Sequence, residues 1–186
     1  MATIAVLGTF DTKGRDHAFV AERIRSREHD VLLIDVGTGA DPVVAADISR
    51  HTVAAAGGID LGALRARGDR GECVAAMARA AAVLIGRLVG EGRLVGEGRL
   101  GGLIFGGGGG TAIATAAMRS LPLGFLKLVV STLASGNTAR SVGMSDIVMM
   151  PAVVDVQGLN RISRTLFRPG GRGDLRAGGS TPTTRR

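Results

Sequence analysis

The chain has 186 residues, 45% of them hydrophobic, which is enough for one well-filled core and therefore one domain. Its formal net charge of +7 is concentrated at one end: from residue 161 onward seven arginines face the single acid Asp174, so six of the seven net charges lie there and the rest of the chain is near neutral. That distribution speaks against a basic nucleic-acid face on the folded part, no interleaving of aromatic with basic residues supports base stacking, and a lone cysteine, Cys73, rules out an internal disulfide and suits a reduced, cytoplasmic setting.

Ile4–Leu7 and Val31–Val36 are short continuous apolar runs of the kind that fill strands covered on both faces. Between them, Ala18, Phe19, Ala21 and Ile24 recur at helical spacing over residues 15–28, which completes a strand–helix–strand unit. Residues 37–70 read as loop-rich, with a short helix near Ile48–Ala56 after the possible cap Asp47. A long helix is expected over 71–90. The segment GRLVGE at 86–91 recurs at 92–97 and reads as an insertion, since six residues in two copies cannot stack a core. Leu103–Phe105 is the third expected strand, Thr111–Ser120 a helix, Lys127–Ser131 a fourth strand, Asp146–Met150 a fifth, and Gly158–Phe167 a closing helix. From Arg168 to Arg186 the Gly, Arg, Pro, Ser and Thr content predicts a disordered basic tail. No basic, apolar leader precedes the first strand, and the uncharged stretch 100–118 is broken by glycines that suit a bilayer badly, so no membrane association is expected.

This alternation predicts an α/β fold: a parallel, doubly wound sheet of about five strands with helices on both faces. In such a sheet the loops after each strand open on one edge, where ligands bind. Four loops fall there: GTFDTKG (8–14), DVGT (35–38), the pentaglycine 106–110 followed by Thr111, and STLASGNT (131–138). A glycine loop running into a helix N-terminus offers free amides and a partial positive charge to a phosphate. The candidate phosphate contacts are Gly107, Gly108, Gly109, Gly110 and Thr111, with an ordinary N-cap as the alternative for Thr111. In the first loop, which opens at Gly8, Thr9 and Thr12 would donate hydroxyls, Lys13 would reach phosphate oxygens, and Asp11 would hold Mg²⁺. The competing readings are turn residues and a solvated lysine. Asp35 ends the second strand, where a ribose-binding carboxylate belongs, with loop capping as its rival. Ser131, Ser135 and Gly136 would touch phosphate or base, with a structural turn as the competing reading for each.

These same blocks, with KLVVSTLASGNT (127–138) and VGMSDIVMMPAVVDVQGLNRISR (142–164), resemble the N-terminal half of the tomato mosaic virus resistance protein-like ATP-binding family over residues 3 to about 167. The resemblance implies a Rossmann-like first subdomain over 1–167, ATP as ligand with Mg²⁺ beside it, a cytosolic protein and a protein partner. It assures no reaction and no catalytic residue. Three departures stand out: the family's second subdomain is absent, which a truncated or frame-shifted member would explain, a glycine replaces a serine in the glycine loop, and GRLVGE is duplicated. Two other readings compete. One is an NAD(P)-dependent oxidoreductase, although GTFDTKG is not G-x-G-x-x-G; the other is a noncatalytic protein or RNA interaction module working through the tail. His17, His29 and His51 lack zinc-ligand spacing, and His17 is expected on a helix surface. Alanine-rich helix faces suit a homo-oligomer as well as they suit packing on the chain's own sheet.

Overall fold

The computed structural model describes residues 3–92, 102–106 and 108–152. The expected second GRLVGE copy falls almost wholly beyond residue 92, and with Gly107, the closing helix at 158–167 and the tail it lies outside the described residues.

The chain forms an α/β structure of parallel strands and helices. Its strands are β1 (Thr3–Gly8), β2 (Asp30–Asp35), β3 (Gly102–Gly106), β4 (Lys127–Ser131) and β5 (Ile147–Pro151). Its helices are α1 (Gly14–Arg25), α2 (Arg50–Ala56), α3 (Leu61–Ala66), α4 (Arg70–Gly90), α5 (Gly108–Arg119) and the single turn α6 (Ala139–Val142). The strand order is β2-β1-β3-β4-β5. Thr3–Gly8 pairs in register with Asp30–Asp35, β3 with β4 and β4 with β5 along their lengths, and Val6 opposite Leu103 joins the two sets. Beyond β2, Ile48 adds one parallel bridge to Ile34.

Side chains alternate across the sheet and build two unequal layers. Ala5, Leu7, Ile34, Val129 and Ile147 face α2, α4 and α5, whereas Val6 and Leu33 meet Phe10 and Ala21 of the α1 side, and Val130 meets Val20. Each Leu or Ile buried in the larger layer contributes about 1.5–3 kcal/mol. The spine of that layer is α4, whose Cys73, Ala76, Met77, Ala80, Ala81, Leu84, Ile85 and Leu88 repeat at three- and four-residue steps. By length and composition this helix could cross a membrane, but in this fold its apolar stripe is turned to α2, α5 and the sheet. Small residues set the spacing: a Cβ on Gly57 would come within 2.7 Å of the Ala80 Cβ, so α2 ends hard against α4. This close packing suits a chain with 3% aromatic residues.

The remaining boundaries differ from expectation for local reasons. Ser49, not Asp47, caps α2 by accepting from the Thr52 amide, while an Asp47 carboxylate oxygen takes the Leu33 N–H at 2.7 Å and pins the bridge at Ile48. The first GRLVGE copy continues α4 as far as Gly90. The glycine run is helical from Gly108, so Thr111 lies inside α5 and is not its cap.

Candidate functional site

The first strand-end loop is a tight turn that begins the site. The Lys13 and Thr12 amides donate to the Thr9 carbonyl at 2.8 and 3.3 Å, and the Thr9 and Thr12 hydroxyls lie 3.0 Å apart. Phe10 is turned fully inward and anchors the turn in the α1-side core. Asp11 is left beside the second loop, where its Oδ2 accepts the Gly39 N–H at 2.8 Å and its Oδ1 is buried with no hydrogen-bond partner.

Asp35 serves as a brace. Its Oδ1 accepts the Phe10 and Gly37 amides at 3.1 and 2.8 Å, and its Oδ2 accepts Arg50 Nε at 2.9 Å, all out of solvent. Arg50 Nη1 in turn donates to the Gly39 and Ala40 carbonyls at 3.2 and 2.8 Å, which fixes the second loop against β2. Of the two expectations for Asp35, these contacts match the loop-capping one: the carboxylate is 1% exposed and engaged by three donors.

Between these loops and the α3–α4 corner lies a cleft of about 460 Å³. Thr9, Asp11, Thr12 and Lys13 line it from the first loop, and Val36, Thr38 and Gly39 from the second. The corner contributes Arg65, Gly68, Asp69 and Arg70, with Cys73 and Val74 on α4, and α5 contributes Gly109, Gly110 and Ile113. Gly108 opens α5, so the amides of its first turn have no carbonyl of the same helix to bond. Three expected loops thus meet at one cavity.

The fourth loop stays outside it. The Ser131 hydroxyl is buried 2.6 Å from that of Thr111, and both side chains are shut from solvent beneath α5. Ser135 donates to the Thr132 carbonyl at 3.1 Å, and the Gly136 amide bonds the Leu133 carbonyl at 3.1 Å; neither residue lines the cleft. Thr111, Ser131, Ser135 and Gly136 thus do not line this cleft. The cleft lining comes from the loops after β1 and β2, the α3–α4 corner and the start of α5.

Gly8 is needed for space. A Cβ there would fall 1.9 Å from His17 Nε2, because the His17 ring lies directly over the end of β1. His17, expected on the surface, is fully buried; its Nδ1 donates to the Lys13 carbonyl at 2.7 Å, and burial lowers its pKa to about 4 although that hydrogen bond opposes the shift. The ring is neutral at pH 7 and acts as a peg under the Lys13 turn.

Sequence reasoning missed Arg50, Arg65 and Arg70. No local motif marks them, and their roles depend on a helix corner that the loop-rich stretch 37–70 conceals. Among the described residues no group of three or more His, Cys, Asp or Glu could hold a metal ion.

Residues 2–172 match the model of the N-terminal domain of UPF0261, an uncharacterised protein family. A UPF0261 protein of Rhizobium meliloti is 44% identical over 168 residues, covering 90% of this chain and 40% of the relative, and one of Clostridium tetani is 39% identical over 164 residues, covering 88% and 39%. The ToMV resistance protein Tm-1 of Solanum lycopersicum is 32% identical over 185 residues, 89% of this chain and 23% of the relative. The chain thus spans about 40% of the length of these bacterial relatives. With a match of this extent, the chain belongs to the uncharacterised protein family UPF0261, through that family's N-terminal domain.

Proposed function

We propose that this chain is a nucleotide-binding domain of Rossmann-like, doubly wound type that takes the phosphates of ATP at the start of α5. In sheets of this kind ligands lie outside the carboxyl ends of the strands, where the strand order reverses. Here the reversal falls between β1 and β3, and the cleft is lined by the loop that follows β1 and by the first turn of α5, which follows β3.

The observation that carries the reading is the meeting of Gly109, Gly110 and Lys13 in one cavity. Helix-start amides without Cβ atoms around them allow close approach of phosphate oxygens, and the Lys13 ammonium supplies countercharge. Asp11 fits Mg²⁺: its Oδ1 has no hydrogen-bond partner in a cleft that would also hold phosphate, and Mg²⁺ is commonly bound by one or two carboxylates together with phosphate oxygens and water. When bound, Mg²⁺ would neutralise phosphate charge. The volume is within the range of nucleotide-sized pockets. Engagement of Asp35 by Arg50 weakens the oxidoreductase alternative, which needs a free carboxylate at the end of β2 for the ribose.

The test is calorimetric titration of the chain with ATP and with NAD separately, each with Mg²⁺. Heat of binding is expected with ATP; saturable heat from NAD alone would reverse the assignment.

A further inference from the structure

We infer that Arg70, with Arg65 beside it on the same wall, forms a polyphosphate subsite that recognises the outer phosphoryl groups of the ligand. The subsite adds to the nucleotide reading and rests on it only for the identity of what is attached to the phosphates.

Arg70 is the first residue of α4, and its guanidinium lies beside the start of α5: a Cβ on Gly109 would be 4.0 Å from Arg70 Nη2. A full positive charge therefore stands next to the positive end of a second helix. Asp11 and Asp69 share the cleft with Lys13, Arg65 and Arg70, three cations to two carboxylates, so its lining keeps a positive excess. Asp69 accepts the Glu72 amide at 2.9 Å as the α4 cap, and Glu72 is clasped by Arg67 at 2.7 Å on the outer surface. Arg70 makes no ion pair among the described residues. On the same wall, Arg65 donates Nη2 to the Gly39 carbonyl at 2.6 Å and has no carboxylate partner among the described residues. Like charges held together around a concave surface lower their energy by taking an anion. Lys13 faces this wall from the first loop, so the cleft presents cations on two sides. Arg70 stands beside the α5 amides and Arg65 and Lys13 share the cleft with it, so a chain of two or three phosphates meets more of these cations than a single phosphate does. The chemical class is a polyphosphate, either a nucleoside di- or triphosphate or inorganic polyphosphate.

The experiment titrates the full chain and its Arg70→Gln and Arg65→Gln variants with Mg-ATP, AMP and inorganic tripolyphosphate, and checks each fold by thermal melting. Arg70 is exposed at a helix start, so its variant should keep the wild-type melting temperature. Arg70→Gln is expected to weaken ATP and tripolyphosphate about tenfold to a hundredfold and AMP, with its single phosphate, by less, in keeping with loss of a charge-assisted contact. Tripolyphosphate that binds in an Arg70-dependent way, with no nucleotide binding, would retain the subsite and refute the nucleotide reading. ATP binding untouched by both substitutions, or no binding of tripolyphosphate to the wild-type chain, overturns the subsite.

Discussion

Arg50 Nε donates to Asp35 Oδ2 at 2.9 Å in a pair removed from solvent, with side chains 4% and 2% exposed. The pair is the joint between the first two loops: the carboxylate also takes the Phe10 and Gly37 amides, and the guanidinium the Gly39 and Ala40 carbonyls. Removing one partner strands the other charge in the interior, so Arg50→Leu should cost about 3–5 kcal/mol in urea unfolding. Adding Asp35→Asn should recover part of that loss, because the amide oxygen still accepts the two backbone N–H groups while no buried charge remains. Strict additivity of the two substitutions would show that they are not coupled.

Gly8 and His17 form a steric pair. Gly8→Ala places a methyl 1.9 Å from His17 Nε2, with the ring packed and unable to swing clear, so the single variant should lose about 1–3 kcal/mol or more. In a His17→Ala background the same methyl enters vacated space, and Gly8→Ala should then be close to neutral. A similar loss in both backgrounds would mean that something other than the ring excludes the methyl.

The central sheet was legible because β1, β2 and β4 are buried on both faces and so are written as unbroken apolar runs; Lys127–Ser131 has its expected bounds. The α3 helix was not, since Leu61–Ala66 makes fewer than two turns and its only marker is the Asp60 cap between glycine turns. Three of the four expected loops were brought together because topology alone places them on one edge. The fourth does not line the described cleft, because strand order alone does not say which strand-end loops border one cavity. Single residues fared worst where a distant partner decides the outcome: Asp35 is settled by Arg50, fifteen residues on, and His17 by the missing side chain at Gly8.

Burial of neutral His17 gives the fold a specific pH dependence. With the folded pKa lowered from 6.5 to about 4, the unfolded chain binds a proton between these values that the native chain does not. Its contribution is therefore complete above about pH 6.5 and falls as pH drops toward 4, by on the order of 3 kcal/mol in total. Chemical unfolding at several pH values should show this slope in the wild type. His17→Asn should be less stable at pH 7 yet flatter between pH 4 and 6.5, and an unchanged slope would exclude His17 as its source.

At the opposite edge of the sheet, Lys127 is buried and donates to the Pro122 carbonyl at 2.7 Å and to the Asp146 carboxylate. The lysine ammonium and, secondarily, the Gly124 amide lower the Asp146 pKa to about 2. A carboxylate shifted in this direction stabilises the fold above pH 3.8 and loses that effect as pH falls toward 2. The two truncations should be unequal. Asp146→Ala leaves a buried ammonium without its counterion, whereas Lys127→Met fills the same volume with an apolar chain and leaves Asp146 near water. Asp146→Ala should therefore have the lower melting temperature, and the reverse order would remove the buried lysine as the controlling charge.

Thr111 separates a structural hydroxyl from a ligand-binding one. Its side chain lies in α5, one residue after the cleft-lining Gly110, but its hydroxyl points under the helix to Ser131 at 2.6 Å. Thr111→Val keeps the shape and deletes the hydroxyl, leaving the buried Ser131 hydroxyl with one partner fewer, so it should cost about 1–3 kcal/mol of stability. ATP affinity should stay within about twofold, because the helix-start amides are untouched. Lys13→Ala should do the opposite, weakening ATP by about tenfold for a lost charge-assisted contact. Measured side by side on the calorimeter and in urea, the two variants should exchange places between the assays. A tenfold affinity loss in Thr111→Val would mean that the hydroxyl turns to the ligand when it binds and that α5 does not enter the complex in the arrangement described.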